Sequence, residues 1–232
     1  MKKIYLIIIF IIIIGVILVS GQLIVSKSKL FNSNSLRPPT SLLVNTIIPV
    51  NDSAGAKSNP VVSQTFFQPP LDRAGERVTK KTFGLYVTPQ NSPVQPEKFT
   101  GYHTGADFEI FPNELNLAVS VRAICGGKLI LKKYATGYGG VVVEACLLNN
   151  QPITVIYGHL KLSSITKNIG QTLSAGETIG VLGAAYSSET NGERKHLHLG
   201  IHKGTSINIL GYVQTKSALN AWIDPCLYVC HN

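Results

Sequence analysis

The sequence predicts a mainly β protein, an antiparallel β-sheet or sandwich, preceded by an N-terminal transmembrane helix and an irregular spacer. The 232 residues include 21 Gly and 12 Pro but only one Met and one Trp, which suits many turns rather than a long helical bundle. Short β-branched runs broken by glycine dominate the second half of the chain, and no amphipathic helical period persists there. With 44% hydrophobic and 14% charged residues, the chain does not have the composition of a disordered protein.

The N-terminus has the pattern of an export segment. Lys2 and Lys3 precede a nearly unbroken apolar run from Ile4 to Val25, and a helix over that run would be about 33 Å long, enough to cross a bilayer. A signal peptide cleaved after Gly21 is the alternative, but its apolar stretch would exceed the usual ~7–15 residues. We therefore favour an uncleaved anchor over residues 1–25. Both interpretations place the rest of the chain outside the cytoplasm, anchored to the membrane or, after cleavage, secreted.

Residues 26–80 have the composition of a spacer, and residues 81–232 that of a folded domain. The spacer is rich in Ser, Asn and Pro and shows no sustained apolar period, although one strand in it could dock on the domain. Within the domain, three apolar runs predict an antiparallel meander, joined first by a Gly-rich turn and then by NNQ: VSVRAICGGKLILKKY, VVVEACLL and PITVIYGHL. A single helical turn is expected near 217–222.

The four cysteines predict disulfides, because an even number in an exported chain is typical of them. Cys125 and Cys146 lie near the open ends of the predicted hairpin and could face each other, which would leave Cys226 and Cys230 as a local bridge. The other two connectivities stay open. A Cys-only zinc site is disfavoured because no pair has the C-x2-C spacing.

The formal charge of +9 suits anionic partners outside the cell, such as wall polymers or lipid headgroups, although solubility alone explains it equally well. No basic patch interleaved with aromatic residues and no nucleic-acid motif is visible. We therefore expect a partner in the cell wall, contact with the membrane through the N-terminal segment, and no nucleic acid.

Two histidine patterns point to a metal site. One is H-x-H, His196 and His198, whose side chains would share one face of a strand while the leucines between and after them face the core. One of these imidazoles could bind a metal while the other stands beside a metal-bound water. His202 would lie on the same face but ~13 Å from His198, too far to share one ion, so we place it at the rim.

The other pattern is H-x-x-x-D, His103 and Asp107. On a straight strand these two would be ~13 Å apart, so a shared metal requires a bend, which Gly101 and Gly105 would permit. A helix would also bring them together, but two glycines in five residues disfavour it.

Two imidazoles and a carboxylate suit Zn²⁺ and leave a fourth position for water, as in catalytic rather than structural sites. The alternative is a set of buried polar groups that satisfy one another without a metal. His159, at the end of the third predicted strand, would alone be a structural histidine. Beside a metal it could accept a proton from water or stabilise an oxyanion.

In the order H-x-x-x-D, YGHL, H-x-H, the chain resembles the lysostaphin-type zinc metallopeptidases, endopeptidases that cleave peptide bonds in bacterial peptidoglycan. The resemblance covers roughly residues 83–225 and implies an antiparallel sheet with a groove over one zinc ion per chain. It assigns His103, Asp107 and His198 as zinc ligands. It assigns His159 and His196 as catalytic histidines, with peptide stems or cross-bridges of peptidoglycan as substrate.

The chain departs from commoner members of that family in two places. FGLYV and a Pro-rich segment replace the usual Arg-containing signature before the first histidine, and an insertion, AAYSSETNGERK, precedes the H-x-H strand. We expect both to form groove walls, which leaves the scissile bond open between Gly-Gly bridges and the direct D-Ala–diamino-acid links that we favour.

Two other functions compete with the endopeptidase. A domain of the same fold could be non-catalytic, acting as a wall-binding or hydrolase-activating scaffold, although the five-residue set is intact. A biotinyl- or lipoyl-like barrel is suggested by QTLSAGETIGVLG, but no lysine lies at a matching turn.

Overall fold

A computed structural model describes residues 67–231 of the chain. The predicted anchor, residues 1–25, and the spacer up to residue 66 lie outside the described residues. Among the residues that are described, no helix is both long enough and apolar enough to cross a bilayer.

Short strands make up most of the regular structure between residues 67 and 231. The strands are β1 (Tyr86–Val87), β2 (Gly101–His103), β3 (Gly105–Glu109), β4 (Ser120–Arg122), β5 (Gly127–Ala135), β6 (Gly139–Leu148), β7 (Gln151–Gly158), β8 (Thr172–Leu173), β9 (Thr178–Val181), β10 (His196–Lys203), β11 (Tyr212–Val213) and β12 (Trp222–Ile223). The helices are the single turns α1 (Lys216–Leu219) and α2 (Cys226–Val229), with short 3-10 turns at Ala74–Glu76, Pro112–Glu114, Leu162–Ser164 and Ser188–Thr190.

The main sheet has seven strands in the order β12-β10-β7-β6-β5-β8, with β3 paired to β10. All of its pairings are antiparallel, and β5–β6–β7 form the meander predicted from the sequence. Asn149 and Asn150 connect β6 to β7, and both have left-handed backbone angles, φ 50° and 63°. Asparagine tolerates this conformation, which a tight two-residue hairpin turn requires at both positions. The mainly β, antiparallel prediction is therefore confirmed for the described residues.

The first predicted strand is in fact two, so that part of the prediction is wrong. β4 pairs with β9 in a small separate sheet, and β5 begins only at Gly127, in the main sheet. The break falls where a Cβ on Gly127 would lie 2.0 Å from the carbonyl oxygen of Ala145, so the two backbones approach more closely than any side chain allows. A third sheet of three strands has the order β1-β2-β11.

Alternation along β10 separates the core from the groove. Leu197, Leu199 and Ile201 are fully buried in the main hydrophobic cluster, as the pattern predicts. Because successive side chains of a strand point to opposite faces, His196 and His198 lie together on the other face of the sheet.

The described end of the predicted spacer packs on the domain. Leu71 and Ala74 are fully buried, and the Arg77 guanidinium donates to both carboxylate oxygens of Glu114, at 2.7 and 2.9 Å. Gln68 N–H donates to the carbonyl oxygen of Ile124 at 2.8 Å. Residues 67–80 form no strand, so this segment is held by burial, ion pairing and single backbone hydrogen bonds rather than by a regular strand pairing.

Both predicted disulfides are confirmed. Cys125 pairs with Cys146, with Cα atoms 6.3 Å apart, and Cys226 pairs with Cys230, at 4.6 Å. The first covalently links the segment before β5 to β6, and the second closes α2.

A buried carboxyl lies under the meander. Glu144 Oε2 accepts a hydrogen bond from the Tyr157 hydroxyl at 2.8 Å, whereas Oε1 has no partner among the described residues. Burial raises the pKa of Glu144 to about 8 from 4.5, and the Tyr157 hydrogen bond opposes that shift only in part.

We predict that Glu144→Gln becomes more stable relative to wild type as pH rises. Because the folded-state pKa is raised, the folded protein holds the Glu144 proton between pH 4.5 and about 8, and wild-type stability falls through that window. The difference in the free energy of unfolding should grow by at most ~1.4 kcal/mol per pH unit. Urea unfolding of both proteins without reductant, from pH 5 to 8, checks this; a constant difference contradicts it.

Candidate metal centre

The register between β3 and β10 brings two of the predicted ligands together. Asp107 is the direct cross-strand partner of His198, and Glu109 is the partner of His196. Directly opposed residues in an antiparallel pair have side chains on the same face, with Cβ atoms about 4.5–5.5 Å apart. The H-x-H strand and the H-x-x-x-D segment are therefore neighbours in one ladder.

His103 reaches the same point from another sheet. The chain leaves β2 after His103, passes Thr104 and enters the main sheet at Gly105, so that the two strands turn apart between histidine and aspartate. Thr104 anchors this corner, since its N–H donates to Gly211 O at 3.0 Å and its hydroxyl to Leu210 O at 2.6 Å.

The two glycines around His103 have different roles from the shared bend that we expected. Gly101 does adopt a positive φ, 141°, which L side chains rarely take. Gly105 does not; a Cβ there would lie 2.3 Å from Leu199 O and 2.9 Å from the His198 ring. Its requirement is close approach to β10, not an unusual backbone angle.

Three potential ligand atoms converge at this place. His103 Nε2 is 3.0 Å from His198 Nδ1, and both lie 3.2 Å from Asp107 Oδ1. Ligands of a tetrahedral zinc ion, bonded at about 2.0–2.1 Å, lie roughly 3.3 Å from one another. All three residues are buried, and the spacing fits a small cation with borderline ligands.

The protonation of His103 also fits a cation. Its Nδ1 is 3.1 Å from the carbonyl oxygen of Thr82, which can only accept, so Nδ1 carries the proton and Nε2 presents a lone pair. Two electron-rich atoms, His103 Nε2 and Asp107 Oδ1, thus face each other beside the His198 ring.

Asp107 is ionised at neutral pH. Burial alone would raise the pKa of its carboxyl, but the adjacent His196 and His103 lower it further than burial raises it, to well below the usual range. Its second oxygen, Oδ2, accepts from Arg194 Nη2 at 2.9 Å and lies 3.3 Å from His196 Nε2.

Burial keeps two histidines of the site uncharged. It lowers the pKa of His198 to about 4, and it also holds the pKa of His159 well below its ordinary value, with His196 adding to that effect. His159 follows β7 with a left-handed backbone, φ 63°, and its ring centroid is 4.2 Å from that of His196. The two predicted catalytic histidines are therefore neighbours, next to the three converging atoms.

His196 has a defined orientation. Its Nδ1 is 2.9 Å from the carbonyl oxygen of Arg194, so Nδ1 carries a proton and the neutral ring has its lone pair at Nε2. His202, by contrast, lies outside the ligand group as predicted, but it is buried against Trp222 rather than placed at the rim of the groove.

A groove of about 270 Å³ opens over these residues. As expected, the insertion lines it through Glu193 and Arg194, and the Pro-rich segment lines it through its last residue, Phe99. The FGLYV segment, residues 83–87, does not line it, so that part of the expectation is wrong. The other two walls, residues 136–138 and 209–214, were not predicted from the sequence.

Tyr138 and Arg194 belong to the site but were not predicted from the sequence. Tyr138 is buried and packs its ring against His198 and His159, with centroids 5.2 and 5.6 Å away. Its position in the Gly-rich turn before β6 was the available signal. Arg194 gave none, because a single arginine in a polar insertion is normally solvent-exposed.

Residues 101–209 match the sequence profile described as Peptidase family M23. Residues 101–209 are therefore a peptidase family M23 domain. The matched segment contains all five residues that the sequence analysis assigned to the site. No curated protein matches the chain significantly.

The M23 domain also resembles solved structures. Lysostaphin from Staphylococcus simulans aligns at 18% identity and a TM-score of 0.46, covering 73% of this chain and 54% of lysostaphin. LytU aligns at 21% identity and a TM-score of 0.45, covering 75% of this chain and 90% of LytU. A zinc containing peptidase from Vibrio cholerae aligns at 23% identity and a TM-score of 0.39, covering 59% of this chain and 36% of that protein. The chain thus spans about half the length of lysostaphin and about a third of the Vibrio protein.

We predict that Gly105→Ala destabilises the M23 domain and weakens metal binding. The new methyl group would push β3 away from Leu199 O and the His198 ring, at an expected cost of about 1–3 kcal/mol. Thermal unfolding and zinc titration measure both effects. Gly126→Ala is the matched control, since a Cβ there meets its nearest neighbours at 3.8 Å. Equal behaviour of the two variants would contradict the steric argument.

Proposed function

We propose that this M23 domain is a zinc-dependent endopeptidase that hydrolyses peptide bonds in bacterial peptidoglycan. The observation that carries the proposal is the convergence of His103 Nε2, Asp107 Oδ1 and His198 Nδ1 within 3.2 Å of one another, under an open groove and beside two further histidines. His103, Asp107 and His198 would hold one Zn²⁺ per chain.

Zinc bound by three protein ligands supplies a Lewis acid and lowers the pKa of a coordinated water to about 7. The protein would supply proton transfer and orientation. His196 can accept a proton at Nε2, because the Arg194 carbonyl holds the proton of the other ring nitrogen at Nδ1.

His159 would stabilise developing negative charge on the substrate. Burial keeps this ring neutral, and a neutral imidazole can donate one N–H to an oxyanion without first losing a hydration shell. The 4.2 Å between its ring centroid and that of His196 supports a role for the two histidines side by side, one as donor and one as base.

The substrate would be peptide stems or cross-bridges of the wall, reached outside the cytoplasm. Family membership supports a wall substrate, and the basic composition suits the anionic wall. Anchoring through residues 1–25 is part of the proposal, with secretion after cleavage at Gly21 as the alternative.

We predict that His198→Ala abolishes both zinc retention and hydrolysis. Removing one of three ligands leaves Asp107 and His103 unable to hold the ion in the required geometry. The full-length chain in detergent, supplied with zinc, is assayed for bound metal and for amino groups released from purified peptidoglycan. His202→Ala, on the same face of β10 but outside the ligand group, should keep both. Full activity of His198→Ala would refute the proposal.

We predict that His196→Ala retains one equivalent of zinc but loses about 10²–10⁴-fold in kcat, since it removes a proton acceptor and not a ligand. Metal analysis and peptidoglycan hydrolysis by the same preparation separate the two effects. Zinc at one equivalent in the wild-type protein with no hydrolysis of any wall chemistry would instead favour the non-catalytic scaffold.

A further inference from the structure

We propose that Arg194 is a positioning residue that makes Asp107 a one-oxygen ligand and so keeps a coordination position of the zinc ion free for solvent. The inference rests on the proposed function. Arg194 is the penultimate residue of the insertion before β10. Neither the family match nor the histidine motifs assign it a role.

The two oxygens of Asp107 are divided between different partners. Oδ1 faces the two ligand histidines, His103 and His198, at 3.2 Å each. Oδ2 accepts from Arg194 Nη2 at 2.9 Å, on the other side of the carboxylate. A carboxylate whose second oxygen is held in a charge-assisted hydrogen bond has only one oxygen to offer a metal ion.

Arg194 is itself held in place. Its Nε donates to both carboxylate oxygens of Glu109, at 3.1 and 3.0 Å, and its Nη2 to Glu109 Oε1 at 2.5 Å. The side chain is only 11% exposed, so the geometry is not that of a solvated surface arginine. Asp107 and Glu109 lie two residues apart on one face of β3, and the guanidinium spans both.

The number of metal ligands explains why the hydrogen bond from Arg194 to Asp107 matters. Two histidines and a one-oxygen Asp107 occupy three positions of a tetrahedral zinc ion and leave one open. If both oxygens of Asp107 bound the metal, the protein alone would fill four positions, and solvent could bind only as a fifth ligand, which raises the coordination number. Arg194 would therefore favour the one-oxygen arrangement of Asp107 over the two-oxygen arrangement without itself binding the metal.

A purely structural ion pair between the insertion and β3 predicts different behaviour. Loss of a structural pair would loosen Asp107 and weaken metal binding, with the geometry of the remaining bound metal unchanged. Loss of the positioning bond would leave a more negative site that still binds metal, but through both carboxylate oxygens.

The test compares Arg194→Gln, Arg194→Lys and wild type as full-length chains in detergent, loaded with Co²⁺, whose visible absorption reports coordination number. We expect Arg194→Gln to bind Co²⁺ at least as tightly as wild type, with weaker absorption per ion. We also expect its kcat on peptidoglycan to fall by about 10–100-fold with little change in KM. Arg194→Lys, which keeps a cationic donor, should recover part of the absorption and of kcat.

Lys98→Gln is the matched control, because Lys98 pairs with Glu193 of the same insertion at 3.1 Å but not with Asp107. It should leave Co²⁺ affinity and absorption unchanged. An Arg194→Gln protein with wild-type absorption per ion, whether or not binding weakens, would overturn the inference. Wild-type protein that binds Co²⁺ but hydrolyses no peptidoglycan would refute the proposed function, while the absorption comparison would still decide the role of Arg194. Wild-type protein that binds no Co²⁺ would refute both.

Discussion

The site depends above all on the antiparallel register between β3 and β10. Asp107 opposes His198 in that ladder, and a shift of one residue would turn the histidines into the core and the leucines into the groove. Gly105 permits the register, since only a residue without Cβ fits against Leu199 O at that distance. The polar cluster is thus stabilised indirectly, by the apolar face of the same strand, whose buried leucines and isoleucine allow only one alignment.

Burial and charge then determine the chemical state of the cluster. The enclosed position keeps His198 and His159 neutral, while the pKa of Asp107 is held well below its usual range despite the same burial. The insertion before β10 contributes twice through Arg194, whose carbonyl orients His196 and whose guanidinium holds Asp107 Oδ2. The insertion therefore contributes contacts within the candidate site as well as part of the groove wall.

The local sequence pattern predicted the structure correctly wherever it depends on contacts between residues close in the chain. Alternation along β10 predicted which side chains face the core, and the NNQ turn predicted the β6–β7 hairpin. Hairpin geometry also favoured the pairing of Cys125 with Cys146, while leaving other connectivities open. The sequence pattern failed where one apolar run is divided between two sheets, as the first predicted strand is divided into β4 and β5. It failed as well for Tyr138 and Arg194, whose partners are distant in sequence.

The sequence by itself determined the strand-rich class, the even cysteine count that indicates disulfides, the residue types of the candidate metal centre and the resemblance to one peptidase family, because each depends on short-range spacing or on composition. Only the tertiary structure decided how His103, from a different sheet, meets Asp107 and His198, and which oxygen of Asp107 faces them. The position of His103 depends on the packing of β2 against the 209–214 segment. The orientation of Asp107 depends on the contact between Arg194 of the insertion and β3. Such long-range contacts are set by the mutual fit of surfaces and backbones, which no local periodicity encodes.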